Sequence, residues 1–387
     1  MGIYAEYLNT LHTYTDILAE RKKQLKRISE LRGNRDILVI ASDLSKIRAQ
    51  ISIDYTDILP VQDQLSNLSG ESIDVILETP GGVGEVVEDI VKLIRGKYEH
   101  VGIIIPGWAK SAGTIFVMAG DEILMGDASG LGPIDAQIIT RGKRFSADAF
   151  LEGLEKIKDQ VTKSGKLNPA YFPMLQQISP GEIQHCENAQ KFSKLIVTEW
   201  LENYKFKFWK KHSSGDPVTV EERHKRAEEI AIKLCSQSHW LTHGRSIKIN
   251  DLEELRVKIT NYSKDPDLND AITRYHTLLR MTFEDTAMYK LFETIDTQIS
   301  RFVPSANVPP QNTSIKNLKV VKVDFNCPQC KTKYTIQANL NEQSPIDEGC
   351  VPYPIENDVF KCPKCEKETN VSKARIQIEA QTGKKLV

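Results

Sequence analysis

Between residues 72 and 137 the apolar and polar positions fall into blocks that spell a strand–helix repeat. Ser72–Glu78, SIDVILE, is a short and nearly continuous apolar run, which predicts a buried strand ending at Thr79-Pro80-Gly81-Gly82. Val86, Val87, Ile90, Val91 and Ile94 then recur near helical spacing. A second strand, VGIII, stops at Pro106-Gly107. Ala109-Lys110-Ser111-Ala112-Gly113 leads straight into the apolar run TIFVMA, Asp121 and Glu122 break that run, and ILM reads as a third strand. This β-α-β-α-β order predicts parallel strands, with a serine at a strand-to-helix turn.

The flanking patterns are mostly helical. Tyr4, Tyr7, Leu8, Leu11, Tyr14, Ile17, Leu18, Leu25, Ile28 and Leu31 form an apolar stripe that predicts one helix over residues 3–32, ended by Gly33-Asn34. Packing on its own domain or on a neighbouring subunit suits that helix better than a membrane surface, because acids and tyrosines interrupt the face. DILVIA at 36–41 is a strand, and 55–68 is a helix with an internal Pro60. Ser146 is placed to cap the helix ADAFLEGLEKIKDQV. Residues 182–209 read as a long helix, in which Trp200, Tyr204 and Phe208 recur every four positions and predict a buried stripe. Helices are also expected over 219–236, after Ile249, and over 267–298. Arg301–Ser314, with Pro304, Pro309 and Pro310, reads as a linker.

A serine presented at such a turn suits nucleophile chemistry. The first amides of a helix lack partners within it and can stabilise an oxyanion. The Gly81-Gly82 pair, without Cβ atoms, lets the neighbouring strand end approach a substrate and offer another amide. The plainer alternative is that PGG is a tight turn and Ser111 an N-cap.

Composition narrows the class. A chain of 387 residues is long for one domain, and 40% apolar content suffices for a sizeable core. A net charge of -1 gives no global argument for nucleic acid. No apolar run reaches membrane-spanning length, and MGIYAEYLNTLHTY lacks a basic-then-apolar signal pattern, so a cytoplasmic protein is expected. There is no G-x-x-x-x-G-K-[ST] loop, so any unfolding motor would be a separate protein.

Thr79-Pro80-Gly81-Gly82, Lys110-Ser111-Ala112-Gly113-Thr114, Ala119-Gly120-Asp121-Glu122-Ile123 and Leu131-Gly132-Pro133-Ile134-Asp135-Ala136-Gln137 appear in this order. With them the segment resembles the serine dehydrogenase proteinase family, part of the Clp-protease and signal-peptide-peptidase A group within the crotonase-like fold. A weaker likeness lies in SQSHWLTHGRSIKINDLEEL, which is similar to a later family segment where a His-containing loop leads into a helix. The resemblance implies an α/β fold with a Clp/crotonase-like repeated β-β-α spiral core and helical additions. It implies a serine endopeptidase with Ser111 as nucleophile and the amides of Gly82 and Ala112, beside Gly81, as the oxyanion hole. It also implies a homo-oligomer.

The base is open at this level. A serine hydroxyl needs a group to take its proton. Clp-type relatives use a His and an Asp, but no histidine stands between His100 and His185, where the family pattern would put it. Signal-peptide-peptidase relatives use a lysine whose pKa is lowered by burial. Lys143, Lys156, Lys158 and Lys163 are candidates, and Lys156 and Lys163 share a helix face. Lys110 adjoins the nucleophile, yet a neighbour in sequence usually points elsewhere. Asp135 could orient the base or hold its turn. Each lysine has the plain alternative of a solvated surface cation.

Past the linker, Cys327-Pro328-Gln329-Cys330 and Cys362-Pro363-Lys364-Cys365 make two C-P-x-C knuckles. Paired thiolates two residues apart, twice over, supply the tetrahedral four-sulfur shell that zinc prefers, and the segment resembles a small β zinc ribbon. Structural zinc would explain how so short a module folds. Cys186, Cys235 and Cys350 read as packing or surface residues, with Cys350 a possible substitute ligand lacking a knuckle. The domains expected are an N-terminal helix over 1–33, a peptidase domain over 34–300, a linker over 301–318 and a zinc ribbon over 319–387. Two function classes follow: a serine peptidase acting on a peptide or protein, with a lysine base; or a catalytically inactive Clp-like scaffold whose ribbon binds a protein or nucleic-acid partner.

Overall fold

A seven-stranded sheet carries the chain, and the computed structural model describes residues 2–140, 142–303 and 318–387. In chain order the elements begin with α1 (Ile3–Thr10), α2 (Tyr14–Leu31), β1 (Asp36–Ser42), α3 (Ile58–Ser66), β2 (Ser72–Glu78), α4 (Gly84–Lys97) and β3 (His100–Ile105). Then come β4 (Trp108–Ala109), α5 (Ala112–Met118), β5 (Glu122–Met125), β6 (Gly130–Leu131), β7 (Gln137–Thr140), β8 (Lys143–Ser146), α6 (Ala147–Ser164), α7 (Phe172–Leu175) and α8 (Pro180–Trp200). The central part closes with α9 (Val220–Cys235), α10 (Gln237–Trp240), α11 (Ile249–Glu254), β9 (Thr260–Asn261), α12 (Pro266–Asp285), β10 (Met288–Glu293) and β11 (Gln298–Phe302). The C-terminal region holds β12 (Val320–Asn326), β13 (Lys333–Asn339), β14 (Cys350–Pro352), β15 (Val359–Lys361), β16 (Glu368–Asn370) and α13 (Ser372–Thr382).

The sheet order is β11-β10-β1-β2-β3-β5-β9. Strands β1, β2, β3, β5 and β9 run parallel, as the strand–helix repeat predicts, while β10 and β11 add antiparallel at one edge. Successive side chains of a strand point to opposite faces. Leu38, Ile40, Val75, Leu77, Ile103 and Ile105 accordingly join α4, α5, α8 and α9 in one core. Ile37, Val39, Ala41, Ile76, Ile104 and Leu124 join α1, α2 and α12 in a second core on the other face. Burial on both faces is why these strands read as near-continuous apolar runs. No described helix is long and apolar enough to cross a membrane.

Four sequence expectations are corrected. The single helix over 3–32 is two, because Thr13 starts a new one with a reciprocal cap: its hydroxyl accepts from Asp16 N at 3.1 Å, and Asp16 Oδ2 accepts from Thr13 N at 3.2 Å. The helix expected over 267–298 ends at Asp285, and MYKLFE and QISRF form the β10–β11 hairpin. Pairing with β1 overrides local propensity there. Lys290, buried in β10, finds its counter-charge in Asp57 at 2.7 Å. Arg301 is therefore strand rather than linker, while Pro304, Pro309 and Pro310 lie outside the described residues. Finally, the stripe through Trp200 runs out: Trp200 is buried, but a π turn follows at Leu201–Lys205 and Phe208 is exposed.

The C-terminal strands surround their own small core, in which Ile336, Ala338, Leu340, Tyr353 and Phe360 pack with Cys327 and Cys362. Helix α13 was not foreseen. Its Ile376 enters the second core of the large sheet. Its Glu379, 1% exposed, accepts from the Tyr14 amide at the start of α2.

Candidate functional site

Ser111 stands between β4 and α5 with φ 51° and ψ -119°, outside the regions an L-residue prefers. Holding a serine there costs on the order of 1–3 kcal/mol, and such strain gathers at functional turns. The turn is over-determined. Lys110 N donates to Thr79 O at 3.0 Å and Thr79 N donates to Trp108 O at 2.9 Å, which ties this turn to the end of β2. Thr114, in the first turn of α5, donates its hydroxyl to Ala109 O and Gly132 O, at 2.9 and 2.8 Å, and accepts from Gly132 N at 3.0 Å. The hydroxyl of Ser111 makes no capping bond. The N-cap alternative therefore fails, and that oxygen is left for other use.

The two glycines lie against the serine from the neighbouring strand end. Gly81 has φ 102°, and a Cβ there would meet Ser111 Cβ at 2.8 Å and Lys110 O at 2.6 Å. Gly82 has φ 153°, and a Cβ would meet Ile53 O at 2.2 Å. The chain pins this pair through Ile53, whose amide donates to Gly81 O at 2.8 Å and whose carbonyl accepts from Val83 N at 3.0 Å. The Gly81 amide donates to Thr79 Oγ1 at 3.1 Å, so Gly81 supplies closeness rather than a free donor. Among the described residues, nothing accepts from the amides of Gly82 and Ala112.

Asp135 is buried, 2% exposed, in the loop after β6. Its Oδ1 lies 2.7 Å from Nδ1 of His243, 108 residues away in sequence, and its Oδ2 accepts from Gln137 Nε2 at 2.7 Å. His243 sits in the loop between α10 and α11. Leu131 and Ile247 exchange two hydrogen bonds of 3.0 Å and hold that loop antiparallel to the segment carrying Asp135. The same loop meets the residue before the nucleophile: Lys110 Nζ donates to Ser246 Oγ at 2.8 Å, to Arg245 O at 3.3 Å and to Leu131 O at 2.9 Å. The loop carrying His243 thus meets the Ser111 turn through Lys110. In this arrangement no described residue hydrogen-bonds the Ser111 hydroxyl.

The lysines singled out from the sequence are elsewhere. Lys156 is 77% exposed on α6 and 4.0 Å from Glu152 on its own helix. Lys158 pairs with Glu155 at 2.9 Å, and Lys163 and Lys143 are exposed. The helix-face spacing of Lys156 and Lys163 does not turn them inward. Lys110, beside the nucleophile in sequence, is partly buried: loss of solvent, with the nearby Lys248 ammonium adding to it, pushes its pKa down to about 8.

Residues 7–166 match the family model of ClpP-like SDH-type serine proteinases. The match contains Gly81, Gly82, Ser111, Ala112 and Asp135, and ends before His243. The chain is similar to an uncharacterized protein of Methanocaldococcus jannaschii, 28% identical over 187 residues, or 48% of this chain and 51% of that one. It spans about half the length of the curated relatives it matches. Among solved structures it is similar to ClpP1 from Listeria monocytogenes at 12% identity and TM-score 0.30, over 62% of this chain and 94% of that one. A probable enoyl-CoA hydratase/isomerase from Mycobacterium abscessus is similar at 14% identity and TM-score 0.20, over 46% and 93%.

Outside the segment that matches the SDH-type family, the four knuckle cysteines converge, with all four sulfurs within 4.8 Å of one another. Cys327 and Cys365 sulfurs are 3.6 Å apart, and those of Cys330 and Cys362 are 3.7 Å apart. A tetrahedron with metal–sulfur bonds of ~2.3 Å has edges of about 3.8 Å, so the donor set fits one ion. The knuckles are built alike. Cys327 N donates to Thr332 O and Lys331 N to Cys327 O; Cys362 N donates to Lys367 O and Glu366 N to Cys362 O. Lys331 and Glu366 both take positive φ, 59° in each case. Cys350 lies in β14, outside the cluster.

Proposed function

We propose that this chain is a serine peptidase in which Ser111 attacks a peptide carbonyl, with His243 as the base and Asp135 as its orienting partner. The His243–Asp135 pair carries this reading. A buried carboxylate on Nδ1 fixes the imidazole so that Nε2 is the basic atom, which is the arrangement acyl transfer needs. His243 would take the Ser111 proton as the carbonyl is attacked and return it to the leaving amine, leaving an acyl-enzyme for water to cleave. The amides of Gly82 and Ala112 would donate to the oxyanion. The lysine base expected from sequence gives way to a histidine because Lys143, Lys156 and Lys163 remain in solvent.

In the same reading, the catalytic unit expected over 34–300 extends to α1 and α2 before it and to Phe302 in β11, and 319–387 is a module stapled by structural zinc on Cys327, Cys330, Cys362 and Cys365. The protein works in the cytoplasm as a homo-oligomer. Turnover of a casein-type protein by the full chain tests the function. Activity is expected to fall at least roughly a thousandfold in Ser111→Ala. No turnover above that of Ser111→Ala would leave the inactive scaffold with a partner-binding ribbon as the better account.

A further inference from the structure

Lys110, Arg245 and Lys248 gather around the loop that carries His243, and none has a carboxylate partner among the described residues. Among those residues, Lys110 Nζ meets two backbone carbonyls and the Ser246 hydroxyl. Lys248 Nζ donates to the carbonyls of Ala128 and Ser129, at 3.1 and 2.7 Å. Arg245 is exposed, with its guanidinium 5.6 Å from the Trp240 ring centre. Of the acids on the same segments, Asp135 faces His243 and Gln137, Asp251 accepts from the Lys248 amide at 2.7 Å, and Asp127, before Ala128, is exposed. Arg32 and Arg35, by contrast, pair with Asp74 and Glu122, and Arg21 with Glu293. The whole chain is balanced, with 51 lysines and arginines against 52 acids, yet these three neighbouring cations form no ion pair among the described residues.

Unpaired cations around a partly desolvated ammonium favour a ligand that brings a carboxylate to them, since two like charges near one another are costly until an anion joins them. We propose that the Ser111 site selects peptides carrying a carboxylate close to the bond that is cut, received by Arg245 and Lys248 and favoured by the Lys110 charge. This rests on the peptidase reading and adds the substrate class. The carboxylate has two sources, an acidic side chain or the free C-terminus of the peptide. Guanidinium and ammonium groups receive either one. The ammonium of Lys110 loses its charge as pH rises through about 8. Selectivity is therefore strongest below that pH and weaker above it.

The test uses the full chain on matched synthetic peptides. Each bears Glu or Gln beside the cleaved bond and ends in a free carboxylate or an amide. Bonds are first located by sequencing the fragments of a casein digest, with Ser111→Ala as the blank. The expected result is roughly tenfold higher kcat/KM for the carboxylate-bearing peptide of one pair. The Glu/Gln pair identifies a side chain and the acid/amide pair a C-terminus. That ratio should approach one in Arg245→Gln/Lys248→Gln, and should shrink with added salt and above pH 8. Lys248→Gln alone, with an unchanged thermal melt, should reduce it part-way. Ser111-dependent cleavage with ratios of one in both pairs overturns the selectivity and leaves the peptidase reading intact. No Ser111-dependent cleavage of any peptide overturns both.

Discussion

The cysteine cluster and the Ser111 site are both assemblies of four or five side chains, but they are built in opposite ways. Each half of the cysteine cluster is a single tight turn, so its geometry is local. The spacing C-P-x-C already fixes which atoms converge, and the two turns repeat the same hydrogen bonds. The Ser111 site is local only at the serine. Its glycines come from the end of β2, its acid from the loop after β6 and its histidine from a loop 108 residues beyond that acid. A site made of turns can be read from spacing. A site made by packing distant loops can be read only where each piece carries its own signature.

The largest predicted effect separates the two regions most sharply. Binding of a structural zinc ion is worth about 10–16 kcal/mol to small zinc modules. Cys327→Ser/Cys362→Ser should lose the bound metal, seen by elemental analysis as one ion per chain falling to none, and the C-terminal strands should lose protection from hydrogen exchange. The parallel sheet should stay folded, because its first core shares no residue with the core around the cysteines. Loss of protection throughout the sheet would mean that α13, through Ile376 and Glu379, makes one cooperative unit of the two.

Next in size is the base. His243→Ala should lower kcat by roughly 10²–10⁴-fold with an unchanged melting temperature, since a general base contributes on that order. Lys110→Gln should cost less than His243→Ala. The reverse order would hand the proton to the lysine and remove the histidine from the account. Asp135→Asn comes after, with a loss of about tenfold to a thousandfold. Combined with His243→Ala it should add little, because the two act as one unit. Full additivity would show that Asp135 serves only the turn with Gln137. The smallest effects belong to Lys156→Ala and Lys163→Ala on the exposed face of α6. Rates should stay within about twofold and stability within about 0.5 kcal/mol.

Much of the fold was legible because parallel strands buried on both faces advertise themselves as apolar runs. Thr79-Pro80-Gly81-Gly82 and Lys110-Ser111-Ala112 were legible because each needs small residues at a close approach. The β10–β11 hairpin was not, since Met288–Glu293 is held by pairing with β1 and by the buried Lys290–Asp57 contact, neither of which is local. His243 was passed over for a related reason. Its segment, SQSHWLTHGRSIKINDLEEL, had been singled out as a His-containing loop. Only the Leu131–Ile247 pairing shows that this loop folds back on Asp135. Lys156, Lys158 and Lys163 stand nearer the nucleophile in sequence, but they lie on α6, whose amphipathic pattern suits exposed lysines equally well.

If Ser111 is an activated nucleophile served by His243, a serine-reactive fluorophosphonate should find it, read by peptide mass mapping of the full chain. A single adduct is expected on the peptide containing Ser111, absent in Ser111→Ala and formed at least about a hundredfold more slowly in His243→Ala. An adduct on a different serine, or labelling of Ser111 at the same rate without His243, would contradict it.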